Sequence, residues 1–451
     1  VLRFHSKFEG DVVTSPWSGR SHAELAGLAR ELLLAGQLID RAGMPHVIAR
    51  LGREEMGKVA IAEWMAASPI YTRRMQRLLG FEGDTVEVIF KGMQLDVGAP
   101  PEFMDFRYEL TDDHHGAFHL DHCGALMDVE PMGDAYVQTM CHDIEDPTFD
   151  ATAAATNPRA RMRPIHRPPR TPAGREPHCA WTVTIEPDAD PLPFPAGAEA
   201  MGGSRAAATP LAIAPIDLPD GDGVTDYAGP LDPDLLMERF SSATLASILD
   251  EVCLQGHLLS RGFLVDLAER IGGADAVAIG SQQLTGVAGL VAKRLAASLG
   301  AGPDLAGVAT VLDVHPMGLP RAYVDLTVEF VDERAGLRVA VADSPATAEP
   351  DGLTWPAILA SGHDAGLRAA VQCVAPTASI EPAATAPGEA AAWLVRIHPD
   401  ATPVAQPDDV TLAEFSTGAR FAFERRETPV KLTANRPSTD PTSTTEPRSE
   451  P

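Results

Sequence analysis

Sliding the 451-residue sequence along itself by 220 positions lays its first half on its second. Leu25 and Ala26 meet Leu245 and Ala246, and Glu31 meets Glu251. Gly36, Leu38 and Arg41 meet Gly256, Leu258 and Arg261, and Arg74, Leu79 and Gly80 meet Arg294, Leu299 and Gly300. Gly98 and Pro100 fall on Gly318 and Pro320, and Asp105 and Glu109 on Asp325 and Glu329. Positions 25 to 116 hold 20 identities without a gap, where composition alone would give roughly seven. Past small gaps the register returns, with His142-Asp143 on His363-Asp364 and Trp181 on Trp393. The chain therefore reads as two diverged copies of one unit. The first spans 20–190 and the second 236–431, with a Pro/Gly/Asp-rich linker over 191–235. The polar, Pro/Ser/Thr-rich stretch 432–451 reads as a disordered tail.

Within the first copy the hydrophobic spacing changes from helical to alternating. Residues 22–41 carry Leu25, Leu28, Leu32, Leu33 and Leu38 at helical intervals behind Ser21 as a cap, and a second helix covers 54–79. Strands follow at 103–110 and 117–123, a third helix at 134–156, and strands at 160–166 and 180–186. A helical half, then a small antiparallel sheet with one covering helix, makes each copy α+β. Two such copies in one chain are expected to pair about a pseudo-twofold axis, and a homo-oligomer is compatible with that arrangement.

A net charge of −27 and a pI near 4.8 oppose nucleic-acid and anionic-membrane partners, both of which need a basic surface. No apolar run reaches the roughly 18 residues of a membrane span. Residues 1–10 lack the apolar core of a secretory signal, so a reducing cytoplasm is the expected compartment. There the five cysteines read as thiols or ligands.

The densest chemistry lies in residues 118–123 (FHLDHC) and, 17 residues on, Cys141-His142. Strand alternation places His119, Asp121 and Cys123 on one face and Phe118, Leu120 and His122 on the other. A helix carrying Cys141 and His142 over the first face would complete a zinc or iron site from His119, His122, Cys123, Cys141 and His142. A buried, hydrogen-bonded core cluster is the competing reading. At the 220 offset His119, Asp121, His122 and Cys123 become Val339, Val341, Ala342 and Asp343, so the reactive residues vanish together in the second copy. Glu130, just ahead of the third helix, is a candidate proton acceptor. His166 and Arg170 could stand at the mouth of such a site.

The succession of a strand ending in Cys123, a helix bearing Cys141 and the His166-Arg-Pro-Pro-Arg170 segment resembles the L-2-amino-thiazoline-4-carboxylic acid hydrolase-like family. The resemblance covers some 60 residues. It implies hydrolysis of a cyclic C=N or amide-like bond in a small polar molecule, with Cys123 and Cys141 at the site. The residues themselves allow a metal-dependent hydrolase with Asp121 or Glu130 handling the proton, or one using Cys123 as nucleophile. The alternative is a non-catalytic module that binds a metal or small ligand, alone or within a larger assembly.

Overall fold

The computed structural model describes residues 15–215, 217–218 and 223–423. The first half opens with α1 (His22–Leu51), α2 (Arg53–Leu78) and α3 (Val86–Met93). It continues with β1 (Met104–Asp112), β2 (His115–Cys123), α4 (Gly124–Val129), α5 (Asp134–Gln138), a π-helical turn (Thr139–Ile144), α6 (Glu145–Thr156), β3 (Ala160–His166) and β4 (Cys179–Ile185). Two short helices, α7 (Ala196–Gly202) and α8 (Arg205–Ala208), lie in the stretch that reads as a linker. The second half runs α9 (Ser242–Ile271), α10 (Gly273–Leu299), α11 (Leu305–Asp313), β5 (Leu326–Val331), β6 (Gly336–Ala342), α12 (Trp355–Ala360), α13 (Ala365–Val374), β7 (Ala378–Pro382), β8 (Glu389–Ile397) and α14 (Asp408–Ala413). The fold is mixed helix and sheet, as α+β requires. Its two four-stranded antiparallel sheets have the same order, β1-β2-β4-β3 and β5-β6-β8-β7.

Local chemistry explains the matching starts. Ser21 Oγ accepts from the Glu24 N–H while the Glu24 carboxylate accepts from the Ser21 N–H, a capping box. Ser241 Oγ accepts from the Thr244 N–H and caps α9 in the same way. Gly52 and Gly272, each at φ 88°, turn the chain from the first long helix into the second, a conformation that favours glycine.

The long helices prefer partners across the halves. α2 packs chiefly on α9, and α1 on α10 and α9, more than α1 packs on α2. Two pairs of ion pairs repeat across this junction. Arg74 grips Glu251 (Nη2–Oε1 2.7 Å, Nε–Oε2 2.9 Å) and Arg294 grips Glu31 (Nε–Oε2 2.7 Å, Nη2–Oε1 3.0 Å). At the edge, Arg50 meets Asp275 at 2.8 Å and Arg270 meets Glu55 at 2.9 Å. Each contact recurs with its partners exchanged between the two halves.

The hydrophobic cores break this parity. In the second half, sheet residues Leu337, Val339, Trp393 and Val395 belong to one continuous core with the long helices. In the first half, Phe106, Phe118, Leu120, Met162 and Trp181 form a second cluster, to which the long helices contribute only Leu34 of α1 among the described residues. Among the described residues, no helix is long and apolar enough to cross a membrane.

Candidate functional site

Between the two separated cores of the first half lies a cavity of about 680 Å³. That is the size of a drug-like ligand site, within the usual span of about 300–1,000 Å³. Its walls are α1, α2, the inner face of β1 and β3, and the helical run from α4 to α6. Eight of the chain's 13 methionines line it, Met44, Met56, Met93, Met104, Met127, Met140 and Met162 in the walls and Met132 at the rim. Unbranched, polarisable thioethers adapt to irregular apolar shapes, which suits a binding surface. The π-helical turn brings Thr139, Met140 and Ile144 to the wall and delivers Glu145 beside them; such turns recur at functional sites. At the same place the second half breaks its helix at Gly362, φ 96°.

The second half also supplies part of the enclosure. Leu412, Phe415, Ser416 and Thr417 line the cavity. Asp128 of α4 ties this segment down by accepting from Ser416 Oγ (2.9 Å), the Thr417 N–H (2.7 Å) and Thr417 Oγ1 (2.7 Å). The same carboxylate sits 3.0 Å from Arg41 Nε. Met132 and Phe415, 51% and 83% exposed, mark the mouth, because each reaches both solvent and cavity. Replacing Asp128 by Ala removes three hydrogen bonds from the closing segment. Faster amide exchange over 412–420 is expected in that variant, with exchange in the long helices unchanged; uniform protection would show that the segment is held by packing alone.

A few polar groups interrupt the apolar lining. Asp96 Oδ1 accepts from Tyr71 Oη (2.8 Å) and the Gly98 N–H (2.6 Å), and burial raises its pKa to about 6. Gly98 has no room for a side chain, since a Cβ there would lie 2.8 Å from the Trp64 ring. Asp40 accepts from Trp64 Nε1 (3.0 Å) and lies near the fully buried Glu63, whose two carboxyl oxygens have no hydrogen-bond partner among the described residues. Burial pushes both carboxyls up, Glu63 well above the usual carboxylate range. Glu145 faces the cavity, remote from bulk water, and desolvation lifts it to about 8.

The residues singled out from sequence lie outside this lining and fall into separate groups. His119 Nε2 stands 3.2 Å from Asp121 Oδ1, and Asp121 Oδ2 lies 3.2 Å from Arg107 Nε. Burial lowers the His119 pKa against the pull of Asp121. Cys123 parts from them and joins the apolar cluster with Phe118 and Leu120, because the strand ends there and its Sγ caps α4 by accepting from the Leu126 N–H. The alternation read for β2 thus fails at Cys123. Burial raises the Cys123 thiol to about 12, the opposite of what an attacking thiolate needs. Cys141 is buried in the same apolar cluster, His122 Nδ1 hydrogen-bonds Phe103 O (2.8 Å), and His142 Nε2 hydrogen-bonds Pro168 O (2.7 Å). Glu130 is bidentate with Arg170 (2.9 and 2.7 Å), which holds its carboxyl below the usual range. His166 is half-buried beside His119 and Arg175. Among the described residues no group of three or more His, Cys, Asp or Glu is placed to hold a metal ion.

Sequence reasoning missed Asp40, Arg41, Asp96, Asp128, Glu145 and the methionines. The signal was present in the self-comparison. At the 220 offset Asp40 becomes Ser260, Glu63 Gln283, Trp64 Leu284, Met56 Ala276 and Asp96 Pro316, another coordinated change between the halves. No family model, curated protein or solved structure matches the chain.

Proposed function

We propose that the two halves descend from one duplicated unit and that the first has kept a binding cavity for a small, largely apolar molecule while the second has become scaffold. The observation that carries this reading is the asymmetry of the cores. Where the first half has a cavity, Trp355 and Tyr323 of the second pack on His257, with ring centroids 5.8 and 5.4 Å away. Leu264 and Ile358 close over Gly280, where a Cβ would lie 2.4 Å from the leucine. Binding is favoured over hydrolysis at Cys123 because neither histidine nor cysteine is among the cavity-lining residues. The groups that do face it are mostly apolar side chains, with carboxyls, Arg41, Gln37 and a few hydroxyls among them. A non-catalytic ligand-binding module is therefore the better-supported of the two functions weighed from sequence.

The test uses N-phenylnaphthylamine, a neutral dye that brightens in apolar surroundings. One dye per chain is expected to bind the wild type. Ala60→Phe and Met56→Trp, which fill the cavity from α2, should each weaken binding at least tenfold. Unchanged dye binding in a filled variant that retains the wild-type melting temperature would rule the cavity out as the site.

A further inference from the structure

Arg41 and Arg261 occupy the same position in their helices, nineteen residues after the first residue of α1 and of α9. Their surroundings differ in one respect. In the second half Asp351 grips both ends of the guanidinium, with Nη1–Oδ1 at 2.8 Å and Nη2–Oδ2 at 2.6 Å, and Leu353 O and Glu349 add further contacts. In the first half Asp128 lies 3.0 Å from Nε, and no hydrogen bond to the two terminal nitrogens is formed among the described residues. Arg41 lines the cavity.

A buried carboxyl can escape the cost of desolvation by taking up a proton, but a guanidinium cannot shed one. Arg41 is the one lysine or arginine among the cavity-lining residues, so an anionic acceptor is best met there, and the planar fork fits a carboxylate best. We propose that the cavity's ligand is an apolar carboxylic acid whose carboxylate docks on Nη1 and Nη2 of Arg41. Asp351 fills the corresponding place in the second half with a carboxylate of the chain's own. Trp355 and Ile358 likewise stand there for the ligand's apolar body. Asp40 feels the Arg41 charge, but among the described residues no hydrogen bond joins the two. Asp128 is committed to Nε, Ser416 and Thr417, and burial raises the Asp40 carboxyl above its ordinary range. Glu145, kept protonated at neutral pH by its burial, can donate to a carboxylate rather than repel it.

This inference rests on the cavity being a ligand site, and the experiment separates the two. Dodecanoate, dodecanol and dodecylamine share a chain and differ in head group, and each is titrated against dye-loaded protein. Wild type should prefer dodecanoate over dodecanol by about ten- to a hundredfold, the worth of a charge-assisted pair. In Arg41→Gln that preference should disappear. Arg41→Lys, which keeps the charge and loses the fork, should retain part of it. Equal affinity for the acid and the alcohol, or tighter binding of the amine, would overturn the carboxylate while leaving the cavity intact. Failure of the dye and of all three probes would overturn both.

Discussion

Glu251→Ala is expected to lower the stability of the whole chain by about 3–5 kcal/mol, the usual cost of orphaning one member of a buried ion pair. Arg74 and Glu251 are each only 3% exposed, and the guanidinium also donates to Thr209 O (2.6 Å) and Ala207 O (3.2 Å). Removing the carboxylate leaves a positive charge in the junction between α2 and α9 with backbone carbonyls alone to answer it. Chemical denaturation monitored by circular dichroism reads the loss directly. The double replacement Arg74→Met with Glu251→Leu should be more stable than either single variant, since apolar side chains of similar volume carry no desolvation penalty. Glu31→Ala, at the mirrored pair, should cost less, because Arg294 and Glu31 are 10% and 13% exposed. A loss below about 1 kcal/mol for Glu251→Ala would mean that water reaches the junction.

The melting temperature should fall as pH rises from 6.5 to 8. Burial raises Asp250 to about 7 and Glu145 to about 8, and places Glu63 and Asp40 above their ordinary values. Each binds its proton more tightly folded than unfolded. Stability is therefore fullest below the unfolded pKa and is lost as pH climbs through the folded one, by about 1.4 kcal/mol per pH unit for each proton released. His257 and His315, lowered by burial to about 4, act in the opposite sense, but only below 6.5, where their unfolded forms take up protons. Above 6.5 the histidine contribution fades, that of His46, His119, His166 and His178 included, and the acids dominate. Glu63→Gln, which installs the residue found at Gln283, should raise the melting temperature more at pH 8 than at pH 6.5. A wild-type profile that rises across this interval would show that the buried carboxyls are ionised in the fold.

Much of the architecture was legible because it rests on local chemistry. The strands at 160–166 and near 180–186, the helical run 134–156 and the serine cap of α1 all stand where periodicity and capping put them. The first helix was read as ending at 41, whereas it runs to Leu51. Gly43 and Pro45 look like terminators, yet a Cβ at 43 would lie 2.6 Å from Gln283 Nε2, so that glycine serves a close crossing with the other half. No local signal carries that. The stretch 191–235 reads as a linker, yet α7 and α8 lie within it. Its backbone is held by partners distant in sequence, as when the Ala206 N–H donates to Glu349 Oε1 at 3.0 Å. Arg74, Arg294, Glu31 and Glu251 were all visible as repeated residues, but not who meets whom. The site was least legible. The His/Cys grouping drew attention by residue type, while the cavity is made of methionines and acids that only the packing brings together.

The segment that closes the cavity carries a consequence for the order of assembly. Synthesis runs from the N-terminus at about 5–20 residues per second, and Leu412 follows Met162, the last wall residue of the first half, by 250 positions. From the completion of α10 at Leu299 until Leu412 emerges 113 positions later, roughly 6–23 seconds, the walls can pack while the cavity is still roofless, its thioether lining open to whatever apolar molecule is near. A ligand too large for the finished mouth between Met132 and Phe415 could enter during that interval and be sealed in when Thr417 reaches Asp128. Such cargo would then behave as a part of the protein, acquired once at birth and released only on unfolding.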